Sequence, residues 1–439
     1  MLHSLADRCT RTFATRLCAG ALLLLVPMLA AALDPSRAIT QYRLDRWTSR
    51  DGLPVTSVTC LLQDRAGYLW AGTQEGLARF DGATFRTFKV EDTPALANNY
   101  VSALFEDRRG RIWAGTDTGD LSYFDGEAFV AIPPDGSLRG QVAGFAESAG
   151  GDLFIAFRGA GLRRLDGPRL APVLDSGGHP IDRLGALVRG EDGDVWAGGQ
   201  GRLFRFSHGA WTRFDLSGAS GRLVTALAVE PHGELLLSED DRRVRRVRLR
   251  GLTLVPVGPD WQLPAPVRTL RVDRDRTLWV GTETGLARRR EAPDAGLELF
   301  AAGPRSAVNA FAEDREGGLW IAMNTDGLLR LSADEVVPFG TAEGLPDDAT
   351  WNVFAASDGT LWVTTSGGLA RIATDRVDRV DRVERVSVPG LPDKEVISLA
   401  ERRDGSFWVG TLRDGLFRLP HSGAPLARLT TDDGIPPGR

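Results

Sequence analysis

The stretch Gly67–Gly82 reads G-Y-L-W-A-G-T-Q-E-G-L-A-R-F-D-G, and its pattern returns to the end of the chain. Trp70 marks the key position. Its equivalents are Trp113, Phe154, Trp196, Leu236, Trp279, Trp320, Trp362 and Trp408, at intervals of 43, 41, 42, 40, 43, 41, 42 and 46 residues. A fixed period in this range is the signature of a propeller or solenoid and constrains the fold more than any local feature.

The spacing inside each repeat has a physical reading. Gly stands three residues before the key position at Gly67, Gly110, Gly151, Gly193, Gly233, Gly317, Gly359 and Gly405, and only Arg276 departs. Asp64, Asp107, Asp192, Asp314, Asp358 and Asp404 lie close by, so Gly with Asp predicts a hairpin corner. Small residues follow the Trp, as in Ala71-Gly72-Thr73, where neighbouring backbone must approach closely. A second Gly turn leads into L-x-R or L-x-Y, as in Leu77/Arg79 and Leu121/Tyr123. Four strands are predicted in the first unit, over residues 57–63, 68–73, 76–80 and 84–88. Four short strands in about 42 residues, with no useful helical period, is the blade of a β-propeller. Seven of the eleven tryptophans occupy the key position, as large aromatics do when they hold blades together.

The fold class expected is therefore all-β, a propeller of nine repeats. Gln41–Trp47 aligns with the outermost strand of a blade, the position of residues 336–339 in blade seven, and as an orphan strand it would close the ring by completing the last blade. Gly-Leu-Pro recurs at Gly52, Gly344 and Gly390, each 18 residues before the key Trp. Its return at repeat eight suggests a seven-bladed propeller over residues 41–340, then the first blades of a second, truncated propeller over 341–439; the alternative is that Gly-Leu-Pro opens blades without marking a boundary. Thr430–Pro436 resembles Thr48–Pro54, and the same spacing would place a tenth Trp at about position 452, beyond Arg439. A fragment of a longer protein is expected.

Residues 1–32 read as a secretory signal peptide. Arg8, Arg11 and Arg16 precede the apolar Leu17–Leu29, and Ala30-Ala31-Ala32 offers a cleavage site; a retained anchor is the alternative. Cleavage would remove Cys9 and Cys18, leave Cys60 alone as a small core residue, and take the net charge from −5 to about −7. This balance gives no pull toward nucleic acid. Two stretches depart from the repeat. Asp375–Val386 is read as an expanded surface hairpin, and Arg242–Arg250 as a solvated outer hairpin, the alternative for each being a binding element.

His3, His179, His208, His232 and His421 show no metal-ligand spacing, and no nucleophile elbow, Walker loop or dinucleotide fingerprint stands in its required context. No catalytic, cofactor-binding or metal residue is assigned, no cofactor is expected, and ligand-contacting positions remain unassigned.

The repeat V-x-x-L-x-x-D-x-x-G-x-L-W-x-G-T-x-x-G-L-x-R-F-D-G, closest at residues 58–82, 101–126 and 308–331, resembles the two-component regulator propeller family. The resemblance covers residues 41–439, with repeats three and five departing at Phe154 and Leu236. It implies the periplasmic ligand-binding sensor region of a signal-transduction protein, with a small-molecule or oligosaccharide ligand. The output, a histidine kinase or diguanylate cyclase, would lie in a missing C-terminal half or a membrane signalling partner, and a homodimer is a further expectation. The alternatives are a stand-alone secreted glycan- or protein-binding propeller, and a propeller enzyme such as a lyase or glycan hydrolase.

Overall fold

The computed structural model describes residues 33–434 except 36, 134–139, 217–220, 231–232, 240, 290–295, 301–302, 304, 334–337, 374–381, 421–425. Residues 1–32, where a signal peptide is expected, and the last residues of the Thr430–Pro436 echo lie outside the described residues. Nine antiparallel sheets form, in chain order, the nine blades. The strands of blade one are Val58–Gln63, Leu69–Thr73, Gly76–Phe80 and Phe85–Phe88, within a residue of the spans predicted. Blades three and five, where the repeat departs, keep the four-strand order. Blade five adds Trp261–Gln262 against its long third strand.

Two compact units divide the chain. The first holds residues 44–333. Within it Arg43–Trp47, at the unit's N-terminal border, pairs with Leu328–Ser332, so blade seven is completed by the chain's first strand. Trp47 packs 4.9 Å from Trp320 and 5.5 Å from Phe80, joining blade seven to blade one. The apolar core is a series of clusters between successive blades. Trp70, for example, packs on Leu77 and Phe88 of its own blade and on Ile112, Ala114 and Phe124 of the next. Burying a side chain of this size contributes about 3 kcal/mol.

The second unit holds residues 36–43 and 334–439. It contains blade eight, from Thr350–Ala355 to Arg382–Val386, and blade nine, from Val396–Glu401 to Ala427–Leu429. Phe339 packs on Leu345, Val363, Ala370 and Ile372 of blade eight. Phe339, at the described end of the expected outer strand, thus belongs to the packing of blade eight. The outer place in blade seven is taken by Arg43–Trp47; residues 336 and 337 lie outside the described residues. Most of the 375–386 expansion is likewise undescribed, but its end, Arg382–Val386, is blade eight's outer strand.

The turn chemistry explains the repeat. Every Gly three residues before the key position has positive φ, and Arg276 adopts the same conformation at φ 63°. Gly72 has a different reason: a Cβ there would stand 2.3 Å from Cys60 Sγ and 3.0 Å from the Val101 carbonyl.

Candidate functional site

The inner strands of blades one to seven surround a channel. Its mouth, at the end where those strands begin, opens into a cavity of about 270 Å³. The inner strands of blades one, two, three, six and seven carry a bulge one residue in, at Thr59, Ser102, Ala143, Arg268 and Asn309. A bulge re-aims the extra side chain, and all five of these residues line the cavity. Arg158, Asn324, Gln141, Tyr100 and Thr225 add polar groups. Among the described residues no aspartate, glutamate, lysine or histidine lines it.

Three bulged side chains are tied down. Asn309 Nδ2 donates to the Val58 carbonyl at 2.8 Å, Thr59 Oγ1 to that of Val101, and Ser102 Oγ to that of Val142 at 2.8 Å. This girdle runs from blade seven through one and two to three. Ala143 has nothing to donate. Beyond it the wall is built of Gly185, Ala186 and Ala226, and the buried Oγ1 of Thr225 has no hydrogen-bond partner. A buried hydroxyl left unpaired costs about 1–3 kcal/mol, which a ligand acceptor would offset.

At the opposite end the turns show a second set of ties. Asp64, Asp107, Asp273 and Asp314 stand six residues before their tryptophans and accept the indole N–H of Trp70, Trp113, Trp279 and Trp320 at 2.7–2.9 Å. The next residue in each case is arginine. The backbone N–H groups of Arg65, Arg108 and Arg274 donate to Glu106, Glu147 and Glu313 of the following blade, and that of Arg315 to Gln63. Their guanidinium groups reach carbonyls of that same blade: Arg65 to Arg108, Arg108 to Ser148, Arg274 to Asp314, Arg315 to Arg65. The sequence expectation for Asp64, Asp107 and Asp314 is a turn residue alone, and Asp273 is not singled out there. Asp192, Asp358 and Asp404 stand four residues before Trp, not six, and cap the turn without reaching the indole; Asp192 and Asp404 also pair with Arg205 and Arg418, and Trp362 uses Thr360 Oγ1.

Burial and partners set the acids' titration. Burial alone would raise Asp107, but hydrogen bonds from Trp113 and Arg111, with the Arg111 charge, take it below the usual carboxylate range. Asp273 has Thr277 where Asp107 has Arg111, so burial prevails and its carboxyl is raised. Burial likewise raises Glu106 and Glu313 and pushes the Cys60 thiol up to about 12. Cys60 is thus an inert core thiol.

Two further gaps lie between blades. One of about 450 Å³, between blades four and five, holds charges already paired: Arg205 with Asp192 and Asp194, Arg248 with Glu234. The other, of about 350 Å³, lies between blades three and four at the smaller Phe154, beside Phe206 and Trp211. Arg242–Arg250 does not form a solvated hairpin. It is blade five's third strand, and Arg243, Arg245 and Arg246 pair with Asp241, Glu239 and Glu234. Among the described residues no His, Cys, Asp and Glu cluster could hold a metal ion, and no helix is long and apolar enough to cross a membrane.

Residues 52–75, 95–118 and 390–413 match the family model described as two component regulator propeller. A segment of 43 residues is 46% identical to histidine kinase P4 of Formosa agariphila, covering 10% of this chain and 3% of that protein. The fold is similar to the extracellular domains of two hybrid two component systems of B. thetaiotaomicron. One gives a TM-score of 0.57 at 16% identity over 88% of this chain and 60% of the other. The second gives 0.55 at 17% over 88% and 53%. A streptogramin B lyase aligns with a TM-score of 0.53 at 12% identity, covering 68% of this chain and 100% of the lyase. The chain thus spans little more than half the length of these two-component relatives, and a small fraction of the kinase.

Proposed function

This chain carries the repeats of the two component regulator propeller family, and from that premise we propose that it is the exported, periplasm-facing ligand-binding region of a signal-transduction protein. The observation that carries the reading is the open, polar mouth of the closed ring, where residues from all seven blades converge on one small volume. Fold alone does not set function, and the lyase resemblance keeps an enzyme reading in view. Against it, neither described histidine, His179 or His208, lines the mouth, and no carboxylate stands there to act as general base. Residues 1–32 direct export in this reading. The output lies in a further part of the same protein or in a membrane partner, which a ligand controls by favouring one arrangement of the propeller.

The test is a thermal-shift screen of the purified chain against small molecules and oligosaccharides, with product analysis of every hit. A ligand at 100 times its dissociation constant stabilises by about 2.7 kcal/mol, which reads as a rise of a few degrees. An unaltered hit that also changes output when given to cells making the full-length protein supports the sensor. A hit that is cleaved supports the enzyme, and binding without any change of output supports a stand-alone binding propeller.

A further inference from the structure

The two walls of the channel mouth differ in what they leave free. Along blades seven, one and two the polar side chains Asn309, Thr59 and Ser102 are committed to neighbouring carbonyls. Along blades three to six the wall recedes to Ala143, Gly185, Ala186 and Ala226, flanked by Arg158 of blade three and Arg268 of blade six. Both arginines are exposed, and among the described residues neither guanidinium has an ion-pair or hydrogen-bond partner. Several other arginines of the ring are paired at close range, as Arg205 is with Asp194, Arg245 with Glu239 and Arg330 with Asp314. Two guanidinium groups without an ion-pair partner, at the rim of a cavity that no described acidic side chain lines and beside an unsatisfied Thr225 hydroxyl, form a donor-rich surface. Such a surface selects an acceptor-only partner, and guanidinium forks match the paired oxygens of an oxyanion.

We propose that the mouth of the seven-bladed ring binds a small ligand through an oxyanion group, a carboxylate or sulfate. Arg158 and Arg268 hold the charge, Thr225 Oγ1 donates to the ligand, and the recess over Gly185, Ala186 and Ala226 receives its body. The cavity of about 270 Å³ limits the bound portion to roughly a single sugar ring or a molecule of that size. The inference rests on reading the ring as ligand-binding and adds the chemical class.

The experiment is isothermal titration of the purified chain with D-glucuronate, sodium sulfate and D-glucose, repeated on Arg268→Ala, Arg158→Ala and Thr225→Val. Both arginines are exposed, so these variants should fold; near-ultraviolet circular dichroism checks it. Glucuronate should bind and glucose should not. Each arginine variant should weaken glucuronate by about tenfold or more, Arg268→Lys should recover part of the loss, and affinity should fall with added salt. Thr225→Val should cost a few fold. Sulfate binding as tightly as glucuronate assigns the site to the oxyanion alone; glucuronate binding more tightly shows that the recess also holds the sugar ring. Glucose binding as well as glucuronate, unmoved by Arg268→Ala, would overturn the oxyanion assignment while leaving ligand binding intact. Binding of no probe at about 10 mM would overturn it as well, and the sensor reading would then rest on the thermal-shift screen alone.

Discussion

The ring is fastened differently on its two sides. Where blades seven, one, two and three meet, each interface has a polar tie at both ends: a bulged side chain to a carbonyl at the mouth, and an arginine clasp at the far end. The interface of blades six and seven keeps the arginine clasp, from Arg274. Among the described residues the interfaces of blades three to six show neither, and are held by backbone hydrogen bonds, such as Ala149 N–H to the Gly193 carbonyl and Val267 N–H to that of Asp241, and by apolar clusters such as that of Trp196, Leu203, Val224 and Leu235. The doubly tied arc starts at the seam between blades seven and one, which residues 48–57 also join, and the break in covalent continuity lies inside blade seven, between Leu328–Ser332 and Arg43–Trp47. Covalent continuity joins neighbouring blades all round the ring and so does not set where these ties fall, but where they are missing, along blades three to six, small residues line the channel. The arc that closes the ring and the arc that offers free donors are therefore different parts of one repeat array.

The contrast can be broken by mutation. Trp320→Ala empties a site packed by Trp47 and Phe80 and should cost about 3–5 kcal/mol in urea unfolding. Equal loss of hydrogen-exchange protection in every blade would mean that the seam is not special. Asp314→Ala strands the Gly318 N–H, the Trp320 indole and the Arg330 guanidinium, and should cost about 2–3 kcal/mol. Ser148→Ala, the matching position in blade three, should cost about 1 kcal/mol or less, and similar values for the two would remove the distinction. Arg315→Ala should cost about 1 kcal/mol and raise exchange chiefly in blades seven and one.

The smallest effect is a pH signature. The lowered Asp107 contributes stability above the ordinary aspartate value that is lost as pH falls through its folded value. The raised Asp273 binds its proton more tightly when folded, so its contribution is present at low pH and lost as pH rises through its folded value. Between about pH 3 and 6, wild type should lose its advantage over Asp107→Asn on acidification and gain against Asp273→Asn. Parallel slopes would show that Arg111 does not separate the two sites.

The blades could be read from the chain because each is local: Gly at the corner three residues before the key position, an acid close by, alternation on either side. Closure by Arg43–Trp47 was legible too, since a lone outer strand has one place to go. The site was not. Thr59, Arg158, Arg268 and Asn309 occupy unremarkable positions in separate repeats, and a bulge, which depends on pairing register, turns four of five such side chains inward with something to offer or leaves an alanine there. Asp64 and Asp192 look alike in the sequence, yet two residues of offset decide whether the carboxylate meets an indole or its own turn and an arginine.

Closing blade seven with the chain's first strand sets an order on folding. Arg43–Trp47 is made early and finds its partner only once Leu328–Ser332 exists, so the ring stays an open arc through most of synthesis or export. Its waiting edge is exposed backbone, and the closing contact carries the highest loop-closure cost in the ring. Ring closure is thus a late, all-or-none event that assembles the channel mouth at a single step, and a chain interrupted before blade seven would have blades but no site.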